Sequence, residues 1–324
     1  MRAAQPHAKL QTMRIFIIGH KSPDLDAVSS AVEYAQFLEK AQIYKSAQII
    51  PVAAEQVNKE AETILAQFNV KIPKVIGDYK IADEDRFILV DHNEESQRAQ
   101  QVDNEKVLEI VDHHKINISF TSPLKIDVRP VGSTSTIIYE LFEAKSIKPS
   151  KEIASLILAA ILSDTQGLKS STTTGIDSTI AHALSHELGL GLDKLTFEIF
   201  KAKSNITGLT AREIVKRDYK VFNFGGTKVL IGQVETVEPG EVLKQKDGLV
   251  KALEKIKVSE GVQQAYLVLT DILNINSQIV YATDAEREVI EKAFTTKGTN
   301  NIADCGPVMS RKKDIAPAIE KTLH

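Results

Sequence analysis

The chain has 324 residues, of which 43% are hydrophobic and 26% charged, with a formal net charge of −3. This length predicts two domains, and the composition is sufficient for packed cores. The slightly negative charge argues against a broad nucleic-acid-binding surface, and no apolar run is long enough to cross a bilayer. The single cysteine, Cys305, excludes an intramolecular disulfide and fits a reducing cytoplasm.

The first twelve residues are polar and irregular. They lack the apolar segment of a secretory signal peptide. We therefore expect residues 1–12 to form a disordered extension and the first domain to begin at residue 13.

The first domain alternates short apolar runs with segments of helical periodicity. Strands are predicted at 14–19, 48–53, 86–90 and 107–111. Helices are predicted at 28–38, 59–68, 133–144, 151–162 and 179–188. Strands separated by helices are typical of an α/β fold, so we predict a parallel sheet with helices on both faces over residues 13–202.

The helical pattern pauses at residues 203–207, which we interpret as a hinge linker. After it, helices are predicted at 210–217, 241–257 and 285–294, and strands at 219–224, 228–234, 265–270 and 278–282. Gly225-Gly226 joins two of these strands as a hairpin, and no helix follows it as a phosphate loop would require. Residues 208–324 are thus predicted to form a smaller C-terminal α/β domain.

Three predicted strands of the first domain end directly in residues that can bind metals. Parallel strands present their carboxyl ends at one edge of a sheet, so these side chains should meet in one crevice. A fourth acid, Asp164, follows the predicted helix 151–162. The strand ends carry His20, Asp24 and Asp26, then Asp91, and finally Asp112, His113 and His114.

Each of these residues alone has an ordinary interpretation. Asp24 or Asp26 would cap a helix, and Asp91 would be a polar loop residue. Together they cannot be buried without a cation, and two divalent ions account for the number of acids. A ligand set of carboxylates and imidazoles without thiolates disfavours structural zinc. It favours Mn²⁺, Co²⁺ or Fe²⁺ over Mg²⁺.

The chain resembles the DHH phosphoesterase superfamily in the order of four motifs. These are His20-x-x-x-Asp24-x-Asp26, Asp91-His-Asn-Glu, Asp112-His113-His114 and Ser163-Asp164-Thr165. Near the C-terminus, Ser310-Arg311-Lys312-Lys313 closely resembles the signature of family II inorganic pyrophosphatases. Asp218-Tyr219-Lys220 lies where that family carries another phosphate-binding lysine.

The resemblance implies a role for each residue. One metal would be held by His20, Asp24 and Asp91, and the other by Asp26, Asp91, His113 and Asp164. Substrate-binding residues would be His20, His114, Lys220, Arg311 and Lys312, of which the last four are also implied to be catalytic. The cofactors would be two tightly bound Mn²⁺ ions, which Co²⁺ can replace, with additional Mg²⁺ arriving with the substrate.

The resemblance also implies hydrolysis of pyrophosphate to two phosphates by a metal-activated water, in a cleft between the two domains. The protein would be a cytoplasmic homodimer through the N-terminal domain, without nucleic-acid or membrane partners. The family variant with an inserted nucleotide-binding region is excluded, because no insert separates Asp164 from Lys220.

Two other functions are weighed against this one. A DHH-type phosphodiesterase acting on short oligonucleotides or cyclic dinucleotides would share the first-domain motifs. Its second domain usually has a glycine-rich, histidine-containing motif, however, and this chain also lacks tryptophan for base stacking. A non-catalytic sensor of metal or phosphate would not need an intact set of metal ligands together with an intact set of phosphate-binding cations.

The remaining candidate residues have ordinary interpretations. His182 and His186 are interpreted as a polar helix face, and Cys305 as a packed small residue.

Overall fold

The computed structural model describes residues 13–323, which form two compact units, one ending at Ala202 and the other beginning at Lys203. The predicted disordered extension, residues 1–12, lies outside the described residues. Between residues 13 and 323, no helix is long and apolar enough to cross a membrane.

The first unit is built on a parallel sheet of six strands, which confirms the predicted fold class. The strands are β1 (Arg14–Ile18), β2 (Gln48–Ala53), β3 (Lys74–Val75), β4 (Arg86–Val90), β5 (Val107–Asp112) and β6 (Lys125–Val128). Their order in the sheet is β3-β2-β1-β4-β5-β6. The two edge strands, β3 and β6, were not predicted. They contain two and four residues and bury little, so they have no apolar pattern.

The α-helices of this unit pack together on one face of the sheet, around one large apolar core. They are α1 (Leu25–Lys40), α2 (Lys59–Gln67), α3 (Thr134–Ala144), α4 (Lys151–Asp164), α5 (Gly175–Leu188) and α6 (Leu192–Lys203). The other face, on which helices were also predicted, is covered by connecting segments of the described chain whose only helices are short 3₁₀-helices. Helix α5 begins four residues before its predicted start, because Thr174 and Asp177 form a capping box.

The strand order places a crevice between β1 and β4. From β1 the chain proceeds outward to β2 and β3, and it then returns to form β4 on the opposite side of β1. Connections leave β1 and β4 in opposite directions, which opens the sheet at their carboxyl ends. Gly19 follows β1 there, and a Cβ atom on it would lie 2.6 Å from the carbonyl oxygen of Ala27. Only glycine lets the strand end this close to α1.

The second unit has a mixed five-stranded sheet in the order β11-β10-β9-β8-β7. Its strands are β7 (Tyr219–Phe224), β8 (Thr227–Thr236), β9 (Gln264–Asp271), β10 (Asn276–Val280) and β11 (Ile302–Asp304). Strands β8 and β9 are parallel, and the other pairs are antiparallel. The predicted hairpin is confirmed: Gly225 and Gly226 connect β7 to β8 with φ values of 58° and 95°, which a two-residue hairpin turn requires.

The helices of the second unit cover both faces of this sheet in two apolar cores. They are α7 (Ala211–Lys216), α8 (Pro239–Leu243), α9 (Lys246–Glu260), α10 (Asp284–Phe294) and α11 (Ala316–Leu323). The predicted single helix 241–257 is therefore two helices. Helix α11 was not predicted, and it continues directly from a π-helical turn, Arg311–Ile315. Such turns occur frequently at functional sites.

The close approach at Gly19 predicts the effect of a small substitution. Gly19→Ala places a methyl group against backbone, which cannot move aside, so unfolding free energy should fall by about 1–3 kcal/mol. Gly175→Ala is the matched control, because a Cβ atom there meets nothing within 4 Å. Chemical denaturation of both variants checks this, and equal stability would contradict the packing described for the end of β1.

Candidate active site

The first group of acidic residues surrounds the start of α1. Asp24 is the N-cap of this helix, and its Oδ1 accepts a hydrogen bond from the backbone N–H of Ala27 at 3.0 Å. Its other oxygen, Oδ2, lies 3.5 Å from Nε2 of His20. The helix cap therefore uses one oxygen of Asp24 and leaves the second available to a ligand.

Asp91 occupies the centre of the site. It follows β4 directly with φ of 58°, in the left-handed region that non-glycine residues seldom adopt. Its Oδ2 lies 3.4 Å from Nε2 of His20, and its Oδ1 lies 3.3 Å from Nε2 of His113. The two oxygens of one carboxylate thus face two different imidazoles, and strained backbone at such a position is a common mark of functional sites.

Three sets of side chains in the described part of the chain have ligand atoms close enough together to hold a metal ion. Asp91 belongs to all three, so it is the residue that connects them. The sets are His20, Asp24 and Asp91; Asp26, Asp91, His113 and Asp164; and Asp91, His113 and His114. The first two contain all six metal ligands that the resemblance implies.

The histidines are oriented by backbone carbonyl groups. Nδ1 of His20 lies 2.6 Å from the carbonyl oxygen of Lys21, and Nδ1 of His113 lies 3.0 Å from that of Val131. A carbonyl oxygen only accepts, so each Nδ1 carries a proton and Nε2 points toward the acids. This is how metal-binding histidines are usually held.

The site has the chemistry that divalent cations require. Nε2 of His113 is buried and has no hydrogen-bond partner among residues 13–323. Three carboxylate groups lie 3.3–4.0 Å from it, those of Asp26, Asp91 and Asp164. An unpaired buried nitrogen facing three acids is satisfied by a cation held among them, so the residues fit a metal centre.

The charges of the site perturb its titration strongly. Burial, together with the charge of Asp91, raises the pKa of Asp26 to about 7. Burial lowers the pKa of His20, but its contacts with Asp24 and Asp91 outweigh this effect and raise it to about 11. The pKa of His113 rises to about 9 for similar reasons. The acids thus draw protons onto the imidazoles, and those protons must leave before either ring can bind a metal.

A segment that includes the first turn of α3, residues 131–136, supports the candidate ligands; we call it the supporting segment. Ser133 and Ser135 donate from their hydroxyl groups to Oδ1 of Asp26 at 2.7 and 2.8 Å. Thr134 donates from its backbone N–H to Oδ2 of Asp26 at 2.8 Å, and from its hydroxyl to Asp91 at 3.0 Å. The segment therefore fixes two candidate ligands at once.

The supporting segment is itself held by Asp177 from α5. Its Oδ2 accepts from the backbone N–H of Gly132 at 2.9 Å, and its Oδ1 accepts from the hydroxyl of Thr136 at 2.6 Å. A Cβ atom on Gly132 would lie 2.5 Å from Thr165. Sequence reasoning missed this support. The only local signal is the polar run Gly-Ser-Thr-Ser-Thr at 132–136, at the start of a helix.

Asp112 was also missed as a functional residue, although its motif was recognised. Its Oδ1 accepts from the backbone N–H groups of His113 and His114 and lies 2.9 Å from Nδ1 of His114. The centroids of the His113 and His114 rings lie only 4.3 Å apart, although neighbouring side chains at the end of a strand are expected to point in different directions. The bond to Asp112, rather than divergence of the side chains, distinguishes the two rings. The His114 side chain is 52% exposed.

The three predicted phosphate-binding cations lie in the second unit. Lys220 is exposed on β7, and Lys312 is exposed in the π-helical turn. The Arg311 guanidinium donates to the carboxylate of Asp218 at 2.7 Å and to its backbone oxygen at 2.8 Å. A weaker bond at 3.4 Å reaches the oxygen of Ile231, the partner of Lys220 in the β7–β8 pairing. The structure therefore places Arg311 beside the β7–β8 hairpin that carries Lys220.

Comparisons with known proteins agree with this geometry. Residues 14–161 match the DHH family, N-terminal domain, and residues 197–322 match the DHHA2 domain. A manganese-dependent inorganic pyrophosphatase of Methanothrix thermoacetophila is 37% identical over 311 residues, covering 95% of this chain and 98% of the relative. The chain belongs to the manganese-dependent, family II inorganic pyrophosphatases.

A second relative of known sequence and a solved structure also match the chain over nearly its whole length. The manganese-dependent inorganic pyrophosphatase of Methanocaldococcus jannaschii is 36% identical, covering 95% of this chain and 99% of the relative. A crystal structure from Methanococcus jannaschii, described as a candidate family II inorganic pyrophosphatase, has 35% identity and a TM-score of 0.62. It covers 96% of this chain and 99% of that protein.

The ordinary interpretations of the remaining candidates agree with the structure. His182 and His186 are exposed on α5 and belong to none of the three metal-binding sets found among residues 13–323. Cys305 is buried, and burial raises the pKa of its thiol to about 12, so it packs as a small residue and is not a nucleophile.

The position of Asp91 predicts a specific loss of metal. Asp91→Asn removes one negative charge from each of the two sets that contain the implied metal ligands. Loss of a residue that only supports a ligand lowers metal affinity roughly 10- to 100-fold, so the affinity of this variant for Mn²⁺ should fall by more than that. Asp112→Asn is the control: it changes a buried acid on the neighbouring strand that belongs to none of the sets. Elemental analysis after gel filtration measures the ions per chain. Two ions retained by Asp91→Asn, or equal losses in both variants, would contradict the central place of Asp91.

Proposed function

We propose that this protein hydrolyses inorganic pyrophosphate to two phosphates at a pair of divalent cations, with Mn²⁺ as the preferred ion. The observation that carries the proposal is the orientation of Asp91, whose two oxygens face two separate sets of ligands. The manganese-dependent pyrophosphatases that resemble the chain along nearly its whole length support the choice of substrate and ion.

In this proposal, His20, Asp24 and Asp91 hold one cation, and Asp26, Asp91, His113 and Asp164 hold the other. Two such cations, when bound, supply hydroxide from water at neutral pH and neutralise charge on the phosphates. The supporting segment keeps Asp26 and Asp91 in place through hydrogen bonds from Ser133, Thr134 and Ser135.

His114 is assigned to the substrate. Its Nδ1 is occupied by Asp112, and this hydrogen bond raises the pKa of His114. The raised pKa favours the imidazolium form, which carries a proton on Nε2 as well, and the side chain is half exposed. A protonated nitrogen that is accessible and oriented can donate to a phosphate oxygen, whereas His113 offers a lone pair to a cation.

Lys220, Arg311 and Lys312 are assigned to the phosphate groups. Asp218 fixes the plane of the Arg311 guanidinium and leaves part of its N–H groups for a phosphate. The planar group can grip two oxygens, and the two exposed lysines add point charges. Together they would stabilise the charge that develops on the leaving phosphate. The proposal thus assigns substrate contacts to residues of both units.

Hydrolysis of pyrophosphate, ATP and a dinucleotide, each with Mn²⁺, Co²⁺ or Mg²⁺, tests the proposal. Phosphate release measures the first two, and chromatography of the nucleotide products measures the third. We expect pyrophosphate to be hydrolysed far faster than the other two, because cations are assigned to two phosphates and no residue is assigned to a base. Comparable turnover of the dinucleotide would indicate a DHH-type phosphodiesterase instead. Absence of turnover with every ion, despite bound metal, would indicate a non-catalytic sensor.

The adjacent histidines should fail in different ways. His113→Gln should lower the affinity for Mn²⁺, with activity partly restored by excess metal, because a ligand is lost. His114→Gln should keep its metal and lose turnover, without rescue by Mn²⁺. Mn²⁺ titration of both variants, followed by activity and calorimetry, measures the difference. Rescue of His114→Gln alone would reverse the two assignments, and equal thermal destabilisation without any metal defect would make both residues structural.

The cytoplasmic location, the homodimer and the additional Mg²⁺ that the resemblance implies stay predictions. So does the hinge at residues 203–207.

A further inference from the structure

His92 is a buried histidine next to the central acid, and the mechanism above does not use it. It is only 3% exposed, and it lines a pocket of about 200 Å³. Other residues of this pocket are His20, Asp91, Gln97 and Lys115. The ring therefore faces the same space as two of the proposed metal ligands.

The hydrogen bonding of His92 leaves one atom unsatisfied. Its Nδ1 lies 2.9 Å from the carbonyl oxygen of Val90, which can only accept, so Nδ1 carries the proton. Its Nε2 consequently has a free lone pair, and this atom is buried without a hydrogen-bond partner among the described residues. Nε2 can therefore only accept a hydrogen bond.

A metal ion is a poor candidate for that lone pair. His92 belongs to none of the three ligand sets found in residues 13–323, although His20 and His113 have the same arrangement of Nδ1 and do belong to them. No donor among residues 13–323 forms a hydrogen bond with Nε2 either. Lys115 also lines the pocket, but its side chain is 84% exposed and its ammonium group lies 3.6 Å from Glu94.

We propose that the pocket binds an ordered water that donates a hydrogen bond to Nε2 of His92, beside Asp91. The pocket is large enough for water, and its side chains offer the two to four polar partners that an ordered water needs. His92 is then a positioning residue, since it fixes water next to the reacting groups without touching the substrate. This inference rests on the proposed pyrophosphatase activity.

Two substitutions separate the two nitrogens of the ring, and a third, at another histidine, is the control. In His92→Asn, the amide N–H₂ can replace Nδ1 as donor to Val90, but the Nε2 acceptor is lost. In His92→Gln, the amide oxygen can lie near the position of Nε2 and accept from the water. His182→Asn is the control, because His182 also has Nδ1 at a backbone carbonyl, 2.7 Å from that of Ser178, but is exposed on α5.

Steady-state kinetics with pyrophosphate and Mn²⁺ should show a selective loss. We expect kcat of His92→Asn to fall about 10- to 100-fold, because misplaced groups near a reacting centre cost that much, while KM changes little. His92→Gln should recover a large part of kcat, and His182→Asn should behave as wild type. Both His92 variants should bind as much Mn²⁺ as wild type by elemental analysis.

A high-resolution crystal structure supplies the readout that does not depend on activity. Wild type and His92→Gln should show a water within hydrogen-bond distance of the accepting atom, and His92→Asn should lack it. The proposal is overturned by an empty pocket in wild type, by equal kcat in wild type and His92→Asn, or by loss of bound Mn²⁺ in His92→Asn. Wild type that binds Mn²⁺ and has the water but does not hydrolyse pyrophosphate would refute the proposed function alone.

Discussion

The burial of several carboxylates at one point is the constraint on which the rest of this structure depends. Asp26 and Asp91 are almost completely removed from solvent, and Asp24 and Asp164 lie beside them. Such a cluster is unfavourable unless positive charge is placed among the acids. Protons on His20 and His113 supply part of that charge, and divalent cations supply it better because each can satisfy several oxygens at once. The acids are therefore best understood as a site made for cations.

The fold meets this constraint through long-range hydrogen bonds that hold the acids in one arrangement. The supporting segment, residues 131–136, donates to Asp26 and Asp91, and Asp177 holds that segment from α5. Backbone carbonyl groups fix the histidine rings, and glycines at 19 and 132 allow the elements to approach this closely. Rigid support lets a site keep like charges together, and it also sets the direction in which each ligand atom points.

The sequence predicts much of the fold because the central strands are buried on both faces and end directly in polar residues. It does not predict β3, β6 or β11, since strands of two to four residues carry no usable period. Five of the six candidate metal ligands follow from their positions after strands, whereas Asp164 ends helix α4, and the family motifs name all six. The support from Ser133 and Asp177 cannot be derived this way, because these residues lie far along the chain from Asp26. The free nitrogen of His92 likewise becomes apparent only when the ring is placed against Val90.

The central claim is that one carboxylate, Asp91, joins two cation sites through its two oxygens. Anomalous diffraction at the manganese absorption edge, from crystals of the Mn²⁺-loaded protein, tests it most directly. The account predicts two manganese peaks, one between Oδ2 of Asp91 and His20, and one between Oδ1 of Asp91 and His113. A single peak, or two peaks of which only one lies beside Asp91, would contradict it.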